Sequence, residues 1–416
     1  MGAFVEQMEI ELARHSGHKT GTGHPARLWC ALVRVLMLTW ELPPATTGGM
    51  AAHVDGLAHG LVDMGHEVVV VTRRTPGTDR DVDVAGVRVI RTEVDLPWLP
   101  DRAIARVASA NHAFVIAVDS LGDWRPDVVH AHDWQVAWAA QVLGARHAAP
   151  IVTTFHGTER SRHGGHVPPG VPTDVNGVEW WLAANSRRVI TITRLLARQV
   201  TTDFELEPTA VRSIPGGIDP SWWAAPDPDL DESPRSDLVF SWGRVQFEKG
   251  FQVLAAAMGT VRSQIPDARC EIAGRGSYLA DLQSRIDVIG VSDVVDLVGF
   301  LPDNDLRAAI HQAACVVLPS LYEPFGVIGL EALAGGASLV VADTGGLAEL
   351  VDGTGAALTF EPGNAEQLAT QICRVLDNPD LAAEMRTKAR SLVESTYSWA
   401  AIARRTDEWY RDAIAR

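Results

Sequence analysis

Two carboxylates, Glu323 and Glu331, stand in a stretch that is otherwise apolar, CVVLPSLYEPFGVIGLEALAGG over residues 315–336. The run Cys315–Leu318 predicts a buried strand that Pro319 ends, and a loop then carries Tyr322, Glu323 and Pro324. A helix is expected from near Phe325, since Pro324 suits a first helical turn and Val327, Ile328, Leu330 and Leu333 recur at helical spacing. Glu331 then lies about two turns into an apolar helix with no basic residue nearby. A glutamate is rarely left among apolar neighbours without a partner, and a pair of sugar hydroxyls would be one. The backbone N–H groups of Gly326 and Val327 would point out of the helix N-terminus, which favours an anion.

The matching positive charges come earlier. Arg244 and Lys249 directly follow a strand at Leu238–Trp242, and a diphosphate could use both. Only three of the 36 basic residues are lysine, Lys19, Lys249 and Lys388, which makes the placement of Lys249 informative. Gly48 and Gly49 fall between a strand at Val33–Thr39 and a helix from about Met50 to Met64, where backbone can approach a phosphate closely. His156 ends a strand that begins at Ile151, and Asp133 follows the strand Pro126–His132. In open α/β sheets ligands bind outside the carboxyl ends of strands, so both residues sit where substrate belongs, although Asp133 also suits a helix N-cap. The turn Gly274-Arg-Gly276 lacks the full dinucleotide fingerprint, which counts against a dehydrogenase.

The elements that must position these groups alternate as strand and helix along 416 residues, enough chain for two or more domains. With 46% hydrophobic and 21% charged residues the composition is that of an ordinary α/β protein. No apolar run reaches the ~18 residues of a membrane span, so no stable membrane insertion is expected. The net charge of −16 opposes general nucleic-acid binding, which needs a basic face. Cys30, Cys270, Cys315 and Cys373 are scattered and read as reduced thiols of a cytoplasmic protein. Residues 1–30 read as a disordered extension without the apolar core of a signal peptide. Residues 31–217 form one Rossmann-like domain, 218–237 a linker rich in proline and acid, 238–397 a second Rossmann-like domain, and 398–416 a terminal helix. Residues 159–173, with His163 and His166, are expected to be a mobile loop contacting an acceptor rather than a metal site, since no Cys or carboxylate clusters with them. Arg187, Arg188, Arg194 and Arg198 read as a solvated basic face, with a membrane surface as the other option. A homo-oligomer is left open.

Glu323-Pro-Phe-Gly followed by Glu331 resembles the E-x7-E signature of retaining GT-B glycosyltransferases of family four, and Arg244 to Gly250 resembles that family's G-R-x4-K-G pattern. Gly48-Gly49, His130-Ala-His-Asp-Trp134 and His156-Gly157 follow in the same order, so the resemblance covers about residues 33–412. The Trp40-Glu-Leu-Pro-Pro start is similar to actinobacterial glycogen-synthase-like α-1,4-glucosyltransferases. The resemblance implies two Rossmann-like domains facing each other across a cleft, with the last helix crossing back onto the first. It implies a retaining hexosyltransferase that works without metal or cofactor. Its donor would be a nucleotide-diphosphate sugar, ADP-glucose or UDP-glucose, and its acceptor a carbohydrate, with an α-glucan first and an α-1,4 bond. Arg244, Lys249, Gly48, Gly49, Gly326 and Val327 would hold the diphosphate. His156, Asp133 and Glu323 would surround the sugar, and Glu331 would bind the ribose. Relatives commonly carry Asn-Gly-Ile-Asp where this chain has Gly216-Gly217-Ile218-Asp219, so the donor sugar would be held differently. The alternatives are a mannosyl- or GlcNAc-transferase to a lipid or small-molecule acceptor, a nucleotide-sugar 2-epimerase and a non-catalytic carbohydrate-binding protein.

Overall fold

Runs such as EVVVVTR and RVLML lack polar alternation, the pattern of strands covered on both faces. In the computed structural model, which describes residues 32–44, 49–93, 103–224, 236–324 and 326–416, such runs build two sheets. The first contains β1 (Arg34–Leu38), β2 (Glu67–Arg73), β3 (Asp81–Val84), β4 (Val87–Thr92), β5 (Val128–His132), β6 (Ile151–Phe155), β7 (Arg188–Thr191) and β8 (Val211–Ser213). Its order is β3-β4-β2-β1-β5-β6-β7-β8, parallel except for β3 on β4. The DVDV of β3 is largely exposed, and its aspartates blunt the sheet edge. Four residues that alternate with aspartate carry too little strand signal to be read from sequence, and this element was not expected.

The second sheet contains β9 (Ser236–Trp242), β10 (Arg269–Ala273), β11 (Val295–Gly299), β12 (Ala313–Leu318), β13 (Leu339–Ala342) and β14 (Ala357–Phe360). Its order is β11-β10-β9-β12-β13-β14, parallel throughout. The strand order reverses at β1 in one sheet and at β9 in the other. Crevices form outside the carboxyl ends at such switch points, and these ends carry His132 and Asp133 beside β1, and Arg244 and Glu323 beside β9.

Separate cores lie on the two sheets, one around Leu36, Phe114, Leu143 and Phe155, another around Leu254, Met258, Ile286 and Ile372. The helix Trp399–Ala415 packs on the first sheet's side. Tyr410 lies in the core with Val35 and Leu57, Gly56 and Gly60 of the helix Gly49–Asp63 sit against Trp399, and Arg188 pairs with Asp412. Arg188 is thereby buried and drops out of the expected basic face, whereas Arg187, Arg194 and Arg198 are exposed, Arg194 beside Glu349 and Asp352. Cys270, Cys315 and Cys373 are buried free thiols. No helix among the described residues is long and apolar enough to cross a membrane. The expected extension at 1–30, Gly48, and the linker residues 225–235 lie outside the described residues.

Candidate functional site

On the second sheet's side, three loops lock together at the strand ends. Gly250 closes the turn after Lys249 in the left-handed region (φ 72°), where a Cβ would stand 1.8 Å from the Pro319 carbonyl oxygen. Leu321 donates its N–H to the Glu248 carbonyl at 2.8 Å, joining the loop after β9 to the loop after β12. Gly346 donates to the Glu323 carbonyl at 2.8 Å, and a Cβ on Gly345 would come within 2.3 Å of the same oxygen. Lys249 and Glu323 are thereby brought face to face. Lys249 Nζ donates to Glu323 Oε2 at 2.5 Å, with the two side chains 16% and 9% exposed. Arg244 is exposed nearby at the end of β9.

The helix of this unit is Val327–Ala334, beginning two residues later than expected from Pro324. Gly326 caps it in the left-handed region (φ 73°), so the helix cannot run through from Pro324, and Phe325 lies outside the described residues. Glu331 is therefore about one turn in, not two. Its carboxyl accepts a hydrogen bond from the Trp242 indole at the end of β9. Burial pushes that carboxyl up to about 7 against the opposing pull of the indole N–H.

On the first sheet's side, His130 and His132 fall on the same face of β5 because strand side chains alternate. His130 Nδ1 lies 2.6 Å from the Tyr410 hydroxyl and Nε2 lies 2.8 Å from that of Thr154. His132 Nδ1 lies 3.2 Å from His156 Nε2, and the His53 ring meets the His156 ring edge-on at 4.7 Å. Burial lowers the pKa of His53, His130 and His132 well below the usual value, and that of His156 to about 3. Asp133 adopts φ 60° and turns its carboxylate to accept the His156 backbone N–H at 2.7 Å. Its carboxyl, pushed up to about 7 by burial, makes no N-cap bond to the 3₁₀ turn Trp134–Val136 and sits behind His156.

A cavity of about 860 Å³ runs between the two sides. Gly49, His53, His156 and Arg194 line one wall, Val327, Glu331, Gly346 and Glu349 the other. Glu331, Val327, Gly49 and His156 are thus brought to one space, whereas Arg244, Lys249, Glu323, Gly326 and Asp133 stand outside its lining. At 216, the position of the commonly found asparagine, a Cβ would lie 3.7 Å from His53 Nδ1.

Sequence reasoning missed three contributors. His53 comes one turn after Gly49 in the helix Gly49–Asp63, a spacing that could have flagged it. Trp242 gave no signal beyond closing a strand. Glu349 accepts the backbone N–H groups of Arg194 and Leu195 at 2.6 and 2.7 Å, capping the helix Arg194–Asp203 from the opposite wall. Glu349→Ala is expected to raise the KM for the cavity's substrate about tenfold by removing two charge-assisted hydrogen bonds that hold the walls together. Small-angle scattering should show a larger radius of gyration. An unchanged radius and KM would mean that this contact does not set the closure.

The segment after His156 holds more regular structure than a plain loop. Thr158 and Ser161 form a reciprocal capping box on a short helix, Glu159–Arg162, and the buried Glu179 carboxylate accepts the Glu159 N–H. The next helix starts at Val171 rather than 174, because Gly170 at φ 90° precedes it and Pro172 fits its first turn. The threonine cap was legible as a residue, but its helix is too short to show a period.

Residues 227–392 match the family model described as "Glycosyl transferases group 1", and residues 47–222 match "Glycosyltransferase Family 4". The glycogen synthase of Mycobacterium tuberculosis is 35% identical over 395 residues, covering 91% of this chain and 94% of that protein. The alpha-maltose-1-phosphate synthase of Mycolicibacterium smegmatis is 28% identical over 408 residues, covering 92% and 100%. The solved catalytic domain of Starch Synthase IV from Arabidopsis thaliana, bound to ADP and acarbose, superposes with a TM-score of 0.70 at 18% identity, covering 93% and 100%. At that identity it shows the shared fold alone.

Proposed function

Since this chain belongs to the family 4 glycosyltransferases with the GT-B fold and resembles the actinobacterial glycogen-synthase-like enzymes, we propose that it transfers glucose from ADP-glucose or UDP-glucose to an α-glucan. In this reading the configuration is retained and the new bond is α-1,4. The observation that carries the reading is the Lys249–Glu323 pair placed beside a cavity whose walls hold Glu331 and His156.

Group transfer from a diphosphate needs charge on the leaving group, support for an oxocarbenium-like sugar and a proton acceptor for the incoming hydroxyl. One N–H of the Lys249 ammonium serves Glu323, which leaves two for phosphate oxygens. Arg244 adds a second cation, and the Gly326-Val327 end of one helix and Gly49 at the start of another offer backbone N–H groups. The free Oε1 of Glu323 and the ring of His156 take the sugar hydroxyls. Asp133 acts at one remove, by fixing the His156 backbone. Glu331 accepts from the ribose diol of the donor. The bond from the anomeric carbon to the diphosphate oxygen breaks while the acceptor oxygen bonds to the same face. The acceptor proton passes to the departing diphosphate. Closure of the two walls keeps water from competing with the acceptor.

Calorimetry with ADP-glucose, UDP-glucose and GDP-mannose, followed by NMR of the product with maltooligosaccharide acceptors, tests the proposal. The expectation is binding of one glucose donor with a Kd on the order of micromolar and an α-1,4-linked product. Donor turnover without acceptor would instead favour the 2-epimerase. A folded protein that binds no nucleotide sugar overturns the reading.

A further inference from the structure

One stretch of the cavity wall is left unused by the donor reading. It lies where two crossing segments run side by side, Ile218 donating its N–H to the Tyr397 carbonyl at 2.8 Å. Tyr397, Arg405 and Arg194 line it from three elements: the turn Val393–Tyr397, the helix Trp399–Ala415 and the helix Arg194–Asp203. We propose that these three side chains form a binding site for a phosphate group, free or carried as a sugar monoester, separate from the diphosphate site at Lys249.

Arg405 is partly buried and makes no salt bridge to a carboxylate among the described residues. Cations are seldom taken out of water unpaired. Glu408 acts on it only from beyond pairing distance and is itself bonded to Arg212 at 3.5 Å. One Arg405 nitrogen, Nη2, donates to the Ser213 carbonyl at 2.9 Å, which fixes the guanidinium and leaves four of its five N–H groups for another acceptor. A second observation points the same way. Tyr397 is only 9% exposed, yet its hydroxyl makes no hydrogen bond among the described residues, where a buried phenol normally finds a partner. Burial raises the pKa of that hydroxyl, Arg405 and Arg194 pull it back, and Glu349 adds to the rise, so the phenol and both cations share one neighbourhood.

The donors select the ligand. Guanidinium forks fit oxyanions, and two of them with a phenol suit the several oxygens and double charge of a phosphate better than the two oxygens of a carboxylate. Glu349 faces the same space, but its oxygens are taken by the Arg194 and Leu195 backbone N–H groups, and two cations stand against it. The Arg194 guanidinium is 56% exposed and lies 3.7 Å from Glu349 and 3.3 Å from Asp352, so it can turn to a more highly charged anion. Tyr397 packs with Leu330 and Leu333 on the second sheet's side, whereas the helices of Arg405 and Arg194 pack on the first. A bound phosphate therefore ties the two sides together beside the Glu349 contact. The inference goes beyond the proposed transfer reaction and does not depend on it.

The test is calorimetry on the full chain with inorganic phosphate, then with glucose 1-phosphate and glucose 6-phosphate. Phosphate would also enter the diphosphate site, so the titrations use Lys249→Met combined with Glu323→Gln, which disables that site without leaving a buried charge unpaired. The expected result is one saturable anion per chain with a Kd on the order of a millimolar or tighter. Adding Arg405→Gln should weaken binding at least about tenfold, and adding Tyr397→Phe about three- to tenfold. Arg198→Gln, at an exposed arginine further along the helix of Arg194, should bind normally. A sugar phosphate that binds at least about tenfold more tightly than inorganic phosphate assigns the monoester, and comparable affinities assign free phosphate. Circular dichroism confirms that each variant is folded, and Arg405→Lys, which keeps the charge but loses the fork, stands in should Arg405→Gln fail to fold. No saturable binding, or binding unchanged in the folded Arg405 variant, overturns the site.

Discussion

Lys249→Ala is expected to lower kcat/KM by about 10²–10³-fold, the usual effect of removing one preorganised charge from a developing anion. Calorimetry should show the donor heat lost. Lys249 is held against Glu323 by loops that glycine alone allows to touch. The substitution also leaves the Glu323 carboxylate without its ion partner. Breaking a buried pair costs about 3–5 kcal/mol. At 16% and 9% exposure, some of that charge is screened, and a loss of about 2 kcal/mol is expected. The two effects separate in a double-mutant cycle. Lys249→Met combined with Glu323→Gln should recover most of the melting temperature, since no uncompensated charge remains, and recover none of the activity. Full activity in a folded Lys249→Ala protein would remove the diphosphate role.

Glu331→Gln should move stability and donor affinity in opposite directions. Burial holds the Glu331 carboxyl near 7, above its ordinary 4.5. The folded chain therefore keeps this proton over a range where the unfolded chain has lost it. Stability from this group is complete below about 4.5, falls as pH rises toward 7, and is level above. The accumulated penalty at pH 8 is on the order of 3 kcal/mol. Glutamine carries no such penalty and still accepts from the Trp242 indole. The melting-temperature advantage of Glu331→Gln over wild type should therefore be absent near pH 4 and grow toward pH 8. Taking the difference between the two proteins cancels the shared titrations. These include the buried Asp133 and Glu179, which slope the same way, and the buried histidines, which lose stability as pH falls below about 6.5. Donor affinity should fall about 10–100-fold, because hydrogen bonds to a carboxylate are stronger than those to an amide. Wild-type affinity should rise with pH through about 7. A pH-independent stability difference would mean that Glu331 titrates normally.

Much of this was legible because it is local. Lys249 and Arg244 could be placed at the end of β9 from the apolar run Leu238–Trp242 and the glycines beside it, and Glu331 on a helix from the 3.6-residue period around it. The succession of strand and helix pointed to parallel sheets, since each parallel pair needs a crossover. Local signals failed where they were short or ambiguous. Pro324 suggested a helix start, but the left-handed Gly326, packed on Gly346, moved it to Val327. The four residues of β3 and of Glu159–Arg162 were too few to show a period.

Partnership was a tertiary matter. Residue types identified Lys249 and Glu323 separately as candidates, but they lie 74 residues apart, and only the adjacency of β9 and β12 puts them in contact. That adjacency likewise brings the Trp242 indole to Glu331, and the neighbouring of β5 and β6 brings His132 to His156. Glu349 meets Arg194 from 155 residues away, across the cavity. Composition and spacing thus determined which groups this protein holds at its strand ends. Which of them face one another, and which are neutral or charged, depends on the order of strands and on burial, properties that no stretch of sequence possesses until the whole chain has packed.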